Sequence, residues 1–230
     1  MKNLAIIPAR GGSKRIPRKN ILPLNGVPLL AYTIRAAKES GKYDRIVLSS
    51  EDAEIQAIGH AEGIEVDQRP ESFAGDKVTK VQVVIEYLER TGAVAEFDTV
   101  SALLPTCPFR RPEDIQAAFA LFESSPLEYL IGVTEYDFPI TLALDKQGDV
   151  GKVFFENGYA VTRSQDIPKY YHPNGAIYLA TVEAFLRAGT FFQPEMLVHE
   201  MDAIRSFDID YPYQFTMAEE LAKQIANNEL

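Results

Sequence analysis

Residues 4–123 alternate between short apolar runs and amphipathic stretches, with turn residues between them, and this rhythm restricts the fold more than any other feature of the chain. Leu4–Ala9 reads as a buried strand, Pro28–Ser40 as a helix stopped by Gly41, and Arg45–Ser49 as a second strand. Asp52–Glu62 reads as a helix with Asp52 as its cap and Gly63 as its stop; Ile64–Asp67 is a short strand. Thr79–Arg90 reads as a helix, Thr99–Leu104 as a strand, and Pro112–Glu123 as a helix with proline at its first position. Such a βαβα order predicts an α/β, doubly wound, mostly parallel sheet with helices on both faces.

The rhythm breaks near residue 128. Residues 128–180 are rich in Tyr, Val, Ile and Thr, with turn signals at Lys146-Gln147-Gly148-Asp149 and Glu156-Asn157-Gly158. They predict hairpins, a small antiparallel excursion from the main sheet at about 128–175. Exposed hairpins need covering, and a second subunit is one way to cover them. Ala176–Leu179 and Ser206–Ile209 read as further strands and 212–226 as the last helix. No internal repeat or linker stands out, so residues 1–230 are expected to form a single domain.

The first strand runs into a loop, Arg10-Gly11-Gly12-Ser13-Lys14-Arg15, that continues to Arg18 and Lys19. Five cations thus fall within ten residues of a chain whose formal charge is −10. In a doubly wound sheet this loop sits at the carboxyl edge, where such folds bind ligands. Glycines there let backbone N–H groups approach phosphate oxygens, Ser13 can donate, and Arg10, Lys14 and Lys19 can neutralise charge. Neither a GxxxxGK[ST] nor a GxGxxG pattern is present. A solvated turn or a basic address signal would also fit the loop by itself.

Phe207-Asp208-Ile209-Asp210 carries two carboxylates at i and i+2. In a strand they face one side, about 6–7 Å apart, and can share a hard cation such as Mg²⁺ with substrate phosphates. The alternative is an exposed strand end whose Asp210 caps the helix beginning at Pro212. Tyr170-Tyr171-His172-Pro173-Asn174-Gly175-Ala176-Ile177-Tyr178 combines aromatics, an amide and a histidine, a composition suited to a sugar or to an ordinary aromatic turn. Arg69-Pro70 with Asp76-Lys77, and Leu104–Arg110, are loops expected on the same sheet edge.

The remaining composition excludes more than it assigns. The apolar runs are too short to span a bilayer, and Pro8 and Arg10 cut short anything resembling a signal peptide. The sole cysteine, Cys107, excludes intramolecular disulfides and fits a reducing cytoplasm. No CxxC or Cys/His cluster suggests zinc. A pI near 4.9 argues against a nucleic-acid partner.

Together these blocks resemble the acylneuraminate cytidylyltransferase (CMP-sialic acid synthetase) family, including the CMP-legionaminic and CMP-pseudaminic acid synthetases. IIPARGGSKRIPRKN resembles the family's CTP-binding signature. DRIVLSSEDAEI, RPESFAGD, LLPTCPFRRPEDI, RSQDIPKYYHPNGAIY and SFDID resemble its later blocks, in order and over almost the full length. The resemblance implies a Rossmann-like nucleotidyltransferase fold with an antiparallel excursion that mediates homodimerisation and completes the neighbouring sugar site. It implies attack of the anomeric hydroxyl of a nonulosonic acid on the α-phosphorus of CTP, giving CMP-sugar and pyrophosphate.

Carried over by position, Arg10, Ser13 and Lys19 would hold the triphosphate, with Gly12 beside them, and Ala9, Arg69 and Thr79 would lie near the cytidine. Asp208 and Asp210 would hold Mg²⁺; Arg10, Lys19 and Asp210 would be the catalytic set. Tyr178, Phe191 and Phe192 match sugar-pocket positions, with Asn174 close by and Arg163 as the residue left to grip the sugar carboxylate. The implied partners are CTP and an acidic keto-sugar, with no nucleic acid or membrane.

Three departures are visible. Leu104 stands where sialic acid enzymes often have glutamine, Ser49-Ser50-Glu51 replaces Ser-Thr-Asp, and Arg163-Ser164-Gln165-Asp166 replaces Arg-Arg-Gln-Asp. They keep a legionaminic or pseudaminic acid in view as substrate, with the PNGAIY block leaning toward sialic or legionaminic acid. A 3-deoxy-octulosonate cytidylyltransferase, or a non-catalytic nucleotide-binding protein on the same fold, are the competing readings.

Overall fold

The structure is a computed structural model that describes residues 1–155, 159 and 162–227. The first half follows the expected order: β1 (Asn3–Pro8), a small hairpin of β2 (Pro23–Leu24) and β3 (Val27–Pro28), then α1 (Leu29–Glu39). β4 (Arg45–Ser50), α2 (Ala53–Ala61), β5 (Glu65–Gln68), α3 (Lys80–Thr91), β6 (Thr99–Ala102) and α4 (Pro112–Glu123) come next. Local chemistry explains the boundaries. The Asp52 carboxylate accepts from the Glu54 and Ile55 amides at the start of α2. Thr79 and Gln82 form a reciprocal capping box at the start of α3. Pro112 opens α4, and Gly41 and Gly63 stop α1 and α2.

The second half supplies β7 (Tyr129–Glu135), β8 (Leu144–Gln147), β9 (Val150–Val153), β10 (Tyr171–Thr181), α5 (Val182–Ala188), β11 (Leu197–Glu200) and α6 (Pro212–Ala226). Among the described residues seven strands form one sheet in the order β11-β7-β10-β6-β1-β4-β5. Only β10 runs against its neighbours; the other pairs are parallel. From β1 the chain winds outward to β4 and β5, then returns past β1 to β6. That reversal leaves a crevice outside the carboxyl ends of β1 and β6, the place where open α/β sheets take ligands.

Side-chain alternation along β1 builds a core on each face. Ala5 and Ile7 pack with Leu30 and Ile34 of α1, Ile55 of α2 and Phe119 of α4. Leu4 and Ile6 pack with Val84 and Leu88 of α3 and Phe185 of α5. A third cluster joins Ala218 and Ala222 of α6 to Ile16, Leu24, Phe109 and Ile209, so the last helix holds down the loop after β1.

The structure corrects the expected second half. Ser206–Ile209 is not a strand: a turn covers residues 203–206, and an irregular stretch follows it. This stretch lies at the crevice with no strand to pair along, and the Ile209 amide makes a single backbone bond to the Thr106 carbonyl at 2.9 Å. The antiparallel excursion is smaller than expected, because β7 and β10 belong to the main sheet. Only β8 and β9 stand apart, as a two-stranded hairpin with every residue exposed. The turn expected at Glu156-Asn157-Gly158 lies outside the described residues. The β2–β3 hairpin, α5 and β11 carry too few residues to stand out as patterns.

Candidate active site

The loop after β1 is held from several sides. The Gly11 amide donates to Glu51 at 2.8 Å, and the Asn20 carboxamide donates to the Arg10 carbonyl at 3.0 Å. A Cβ at Gly11 would collide with the Asp52 carboxylate, so a side chain there would have to displace the group that caps α2 and pairs with Arg18. Nothing lies within 4 Å of where a Gly12 Cβ would stand. Beneath the loop Arg69 is buried, donating to the Ala9 carbonyl at 3.2 Å, the Ser49 hydroxyl at 3.2 Å and the Ser49 carbonyl. Burial lowers its pKa from the ordinary guanidinium value, against the charges of Glu51 and Asp67.

Every cation of the loop has a carboxylate partner. Arg10 and Lys14 both meet Asp76, Arg10 at 3.0 Å. Arg18 pairs with Asp52 and with Glu54 at 3.1 Å. Arg15 and Lys19 meet Asp210 at 3.1 and 3.0 Å, and Lys19 also donates to the Ile209 carbonyl at 2.6 Å. Arg15 lies over the Tyr211 ring, 4.7 Å from its centroid. An ammonium has three donors, so Lys19 retains one for a ligand oxygen. The Gly12 amide and the Ser13 hydroxyl have no protein partner among the described residues.

Asp208 and Asp210 flank the fully buried Ile209, and of the two Asp210 lines the cavity. Their environments separate them. Burial raises the Asp208 carboxyl, with the Asp210 charge adding to it, against a Thr106 hydrogen bond and the Lys19 charge. Burial would raise Asp210 too, but the Lys19 hydrogen bond and the charges of Lys19 and Arg15 outweigh it and hold it below the usual range. Asp210 does not cap α6; the Gln214 side chain accepts from the Asp210 and Tyr211 amides at 2.7 and 2.8 Å instead. Among the described residues no three His, Cys, Asp or Glu side chains gather as a metal cluster. Two carboxylates still fit Mg²⁺, which completes its shell with substrate phosphates and water.

The cavity between these walls measures about 430 Å³ and is lined by Arg10, Ser13, Lys19, Arg69 and Asp210 from the expected set. Leu104, Pro105 and Thr106 of the loop after β6 form the opposite wall. Ala9 is buried behind Arg69, and Thr79 is a helix cap whose hydroxyl accepts from the Gln82 amide at 3.2 Å. Tyr178 packs against fully buried Phe191 and exposed Phe192, at 5.6 and 6.2 Å between centroids. Asn174 lies beneath the site rather than in the cavity lining. Its carboxamide donates to Ser206 at 2.9 Å and accepts from the Ala176 amide at 3.0 Å, bracing a bulge of β10. Arg163 is 77% exposed, paired with Asp166 at 2.9 Å, and absent from the cavity lining. Cys107 is fully buried, donates to the Asn174 carbonyl at 2.9 Å, and is pushed up to about 12 by burial, which rules it out as a ready nucleophile.

Lys80 is a charged lining residue that the motifs do not single out, and Val78 and Val83 line the cavity beside it. One sequence signal marks it: it follows the Thr79 cap as the first residue of α3, where the helix dipole disfavours a cation.

A family model described as Cytidylyltransferase matches residues 4–229. The chain is 36% identical over 227 residues to the pseudaminic acid cytidylyltransferase of Campylobacter jejuni subsp. jejuni serotype O:23/36 (strain 81-176), covering 97% of each chain. It is 32% identical over 230 residues to the CMP-N,N'-diacetyllegionaminic acid synthase of Legionella pneumophila subsp. pneumophila (strain Philadelphia 1), covering 96% of each. Among solved structures, a CMP:2-keto-3-deoxy-manno-octonic acid synthetase complexed with CTP superposes with a TM-score of 0.70. That likeness covers 99% of this chain and 100% of the other at 17% identity, and it shows the shared fold.

Proposed function

From the premise that this chain belongs to the cytidylyltransferase family, we propose that it activates a nonulosonic, sialic-type acid with CTP, giving the CMP-sugar and pyrophosphate. The observation that carries this reading is the cavity at the switch point, lined by the cationic loop with Asp210 against it and by Leu104, Pro105 and Thr106. Arg10, Lys19, the Gly12 amide and Ser13 bind the triphosphate on the loop wall. Ala9, Arg69 and Thr79 shape the cytidine end, and exposed Phe192 offers the sugar an aromatic surface backed by buried Tyr178 and Phe191.

In the reaction a bond forms between the anomeric oxygen and the α-phosphorus as the bond to the bridging oxygen of the β-phosphate breaks. The electron pair leaves with pyrophosphate, and the hydroxyl proton is released. Phosphoryl-type transfer depends on positioning and charge neutralisation more than on covalent help, which suits a site without a histidine base. Lys19 is 12% exposed and tied at two of its donors, so its charge is fixed in place for the transition state. Asp208 and Asp210 would hold Mg²⁺ against the phosphates. When bound, that ion would neutralise phosphate charge and lower the pKa of the attacking hydroxyl.

A homodimer built on the exposed β8–β9 hairpin, and a cytoplasmic location consistent with the reduced thiol of Cys107, complete the reading. No helix among the described residues is long and apolar enough to cross a membrane. The test is a panel of acidic keto-sugars incubated with CTP and Mg²⁺ and read by pyrophosphate release, with UTP and ATP in parallel. Release with CTP and at least one nonulosonic acid is expected. CTP binding by calorimetry with no release on any acid would leave a nucleotide-binding protein instead.

A further inference from the structure

Among the described residues five carboxylates meet the loop after β1: Glu51, Asp52, Glu54, Asp76 and Asp210. Four of them are fixed by their own segments. Glu51 follows the end of β4, Asp52 caps α2, Glu54 lies in the first turn of that helix, and Asp210 follows the fully buried Ile209. Asp76 differs. It sits in residues 71–78, between β5 and α3, of which none is buried and none joins a core cluster. The backbone bonds of this segment run from the Phe73, Ala74 and Val78 amides to carbonyls three residues back. Among the described residues, the ion pairs and hydrogen bonds that tie its side chains to the rest of the fold are those of Asp76, to Arg10 at 3.0 Å and to Lys14.

Arg10, Lys14 and Asp76 all line the cavity, so this carboxylate engages cations that belong to the wall read as the triphosphate site. A carboxylate brings two oxygens and one charge, and a triphosphate brings more of both to the same guanidinium and ammonium. With phosphate oxygens on Arg10 and Lys14, Asp76 would face them as a like charge. The segment that carries Asp76 can withdraw. A carboxylate at the start of α2 or beside Ile209 cannot do so without breaking a cap or moving a buried side chain. Such a competition lowers the apparent affinity for the ligand by the fraction of molecules in which the carboxylate holds the cations.

We propose that Asp76 is an internal competitor for the polyphosphate cations Arg10 and Lys14, and that residues 71–78 are a strap which a nucleoside triphosphate displaces as it binds. This inference rests on the reading of the loop after β1 as the CTP triphosphate site.

The experiment titrates wild type, Asp76→Asn, Asp76→Ala and Glu71→Gln by calorimetry at one ionic strength, with CTP and with inorganic tripolyphosphate. Glu71 lies on the same segment and has no ion pair among the described residues, so its variant controls for the loss of one negative charge. Both Asp76 variants should bind tripolyphosphate and CTP about 3- to 10-fold more tightly than wild type, the scale of two partly exposed ion pairs. Glu71→Gln should stay within about twofold of wild type. Hydrogen exchange at the Phe73, Ala74 and Val78 amides should quicken when tripolyphosphate is added to wild type, and should be fast in Asp76→Ala with or without it. Unchanged or weaker binding by the Asp76 variants overturns the proposal, because Asp76 would then be idle or would hold the cations in place for the ligand. An equal gain in Glu71→Gln overturns it by assigning the effect to net charge, and exchange that slows on adding tripolyphosphate overturns it by showing the strap closing. Wild type that binds tripolyphosphate but not CTP overturns the cytidylyltransferase reading alone, with the competition still decided by the tripolyphosphate titrations. Wild type that binds neither overturns both.

Discussion

Asp210 accepts from Lys19 and faces Arg15, so one carboxylate holds two loop cations at the mouth of the cavity. Replacing it with alanine removes a candidate metal ligand and releases both cations. We expect Asp210→Ala to lose pyrophosphate release by at least about 100-fold, the scale of losing one oriented charge stabiliser. Thermal unfolding should stay close to wild type, because Asp210 is only half-buried and Gln214, not Asp210, caps α6. Full Mg²⁺-dependent activity in that variant would remove Asp210 from the metal site. The loop cations themselves were plain in the sequence, since five fall within ten residues. Their partners were not: Asp76 lies 66 residues from Arg10, and Asp210 lies 191 from Lys19. Pairing across such separations is set by the sheet order, which no local spacing encodes. Lys80 was hidden for the same reason, because its place in the cavity lining and over the Tyr178 ring follows from the fold and not from a local motif.

Helices that complete their own hydrogen bonds and bury one face announce themselves locally, as α1, α2, α3 and α4 do, and β1 shows as a short continuous apolar run buried on both faces. β7 and β10 are legible as strands by their β-branched, aromatic and apolar residues, but nothing in that composition says that they join the main sheet rather than stand apart as an excursion. Ser206–Ile209 misled for the opposite reason. Its residue types alternate and Ile209 is buried, yet the segment meets no strand edge, and a single amide bond to Thr106 replaces a ladder. The β10 bulge between Pro173 and Tyr178 depends on Gly132 of β7, where an added Cβ would lie 2.8 Å from the Asn174 Oδ1 and 3.3 Å from the Ile177 amide. Asn174 cannot yield easily, since its carboxamide is tied to Ser206 and Ala176. Gly132→Ala should therefore destabilise the fold by about 1–3 kcal/mol, measured by urea denaturation. Gly12→Ala, where the same atom meets nothing, is the control. Equal midpoints for the two would show that β7 can shift away from the bulge.

The chain as a whole leaves one feature that its own core does not explain. β8 and β9 form a sheet of two strands, too small to be stable by itself in water. Leu144 and Val153 pair across it, Val150 and Phe154 are exposed beside them, and Phe154 stacks edge-on against Phe155 at 4.8 Å. Exposed apolar side chains on an unsupported hairpin call for a covering surface, and a second copy of the chain would supply one by two-fold symmetry. If the hairpin is the dimer contact, wild type at micromolar concentration sediments at about twice the 25.7 kDa of one chain. Val150→Asp combined with Phe154→Asp places two charges in that contact and should yield the single-chain mass. The cavity loop packs on α6 in a cluster that includes no residue of the hairpin, so CTP binding should survive in the monomer. Sugar turnover should fall if the neighbouring subunit completes the acceptor side, and stay unchanged if each chain holds a whole site. A double variant that remains dimeric would assign the contact to another surface and leave the hairpin's exposed face to some other partner.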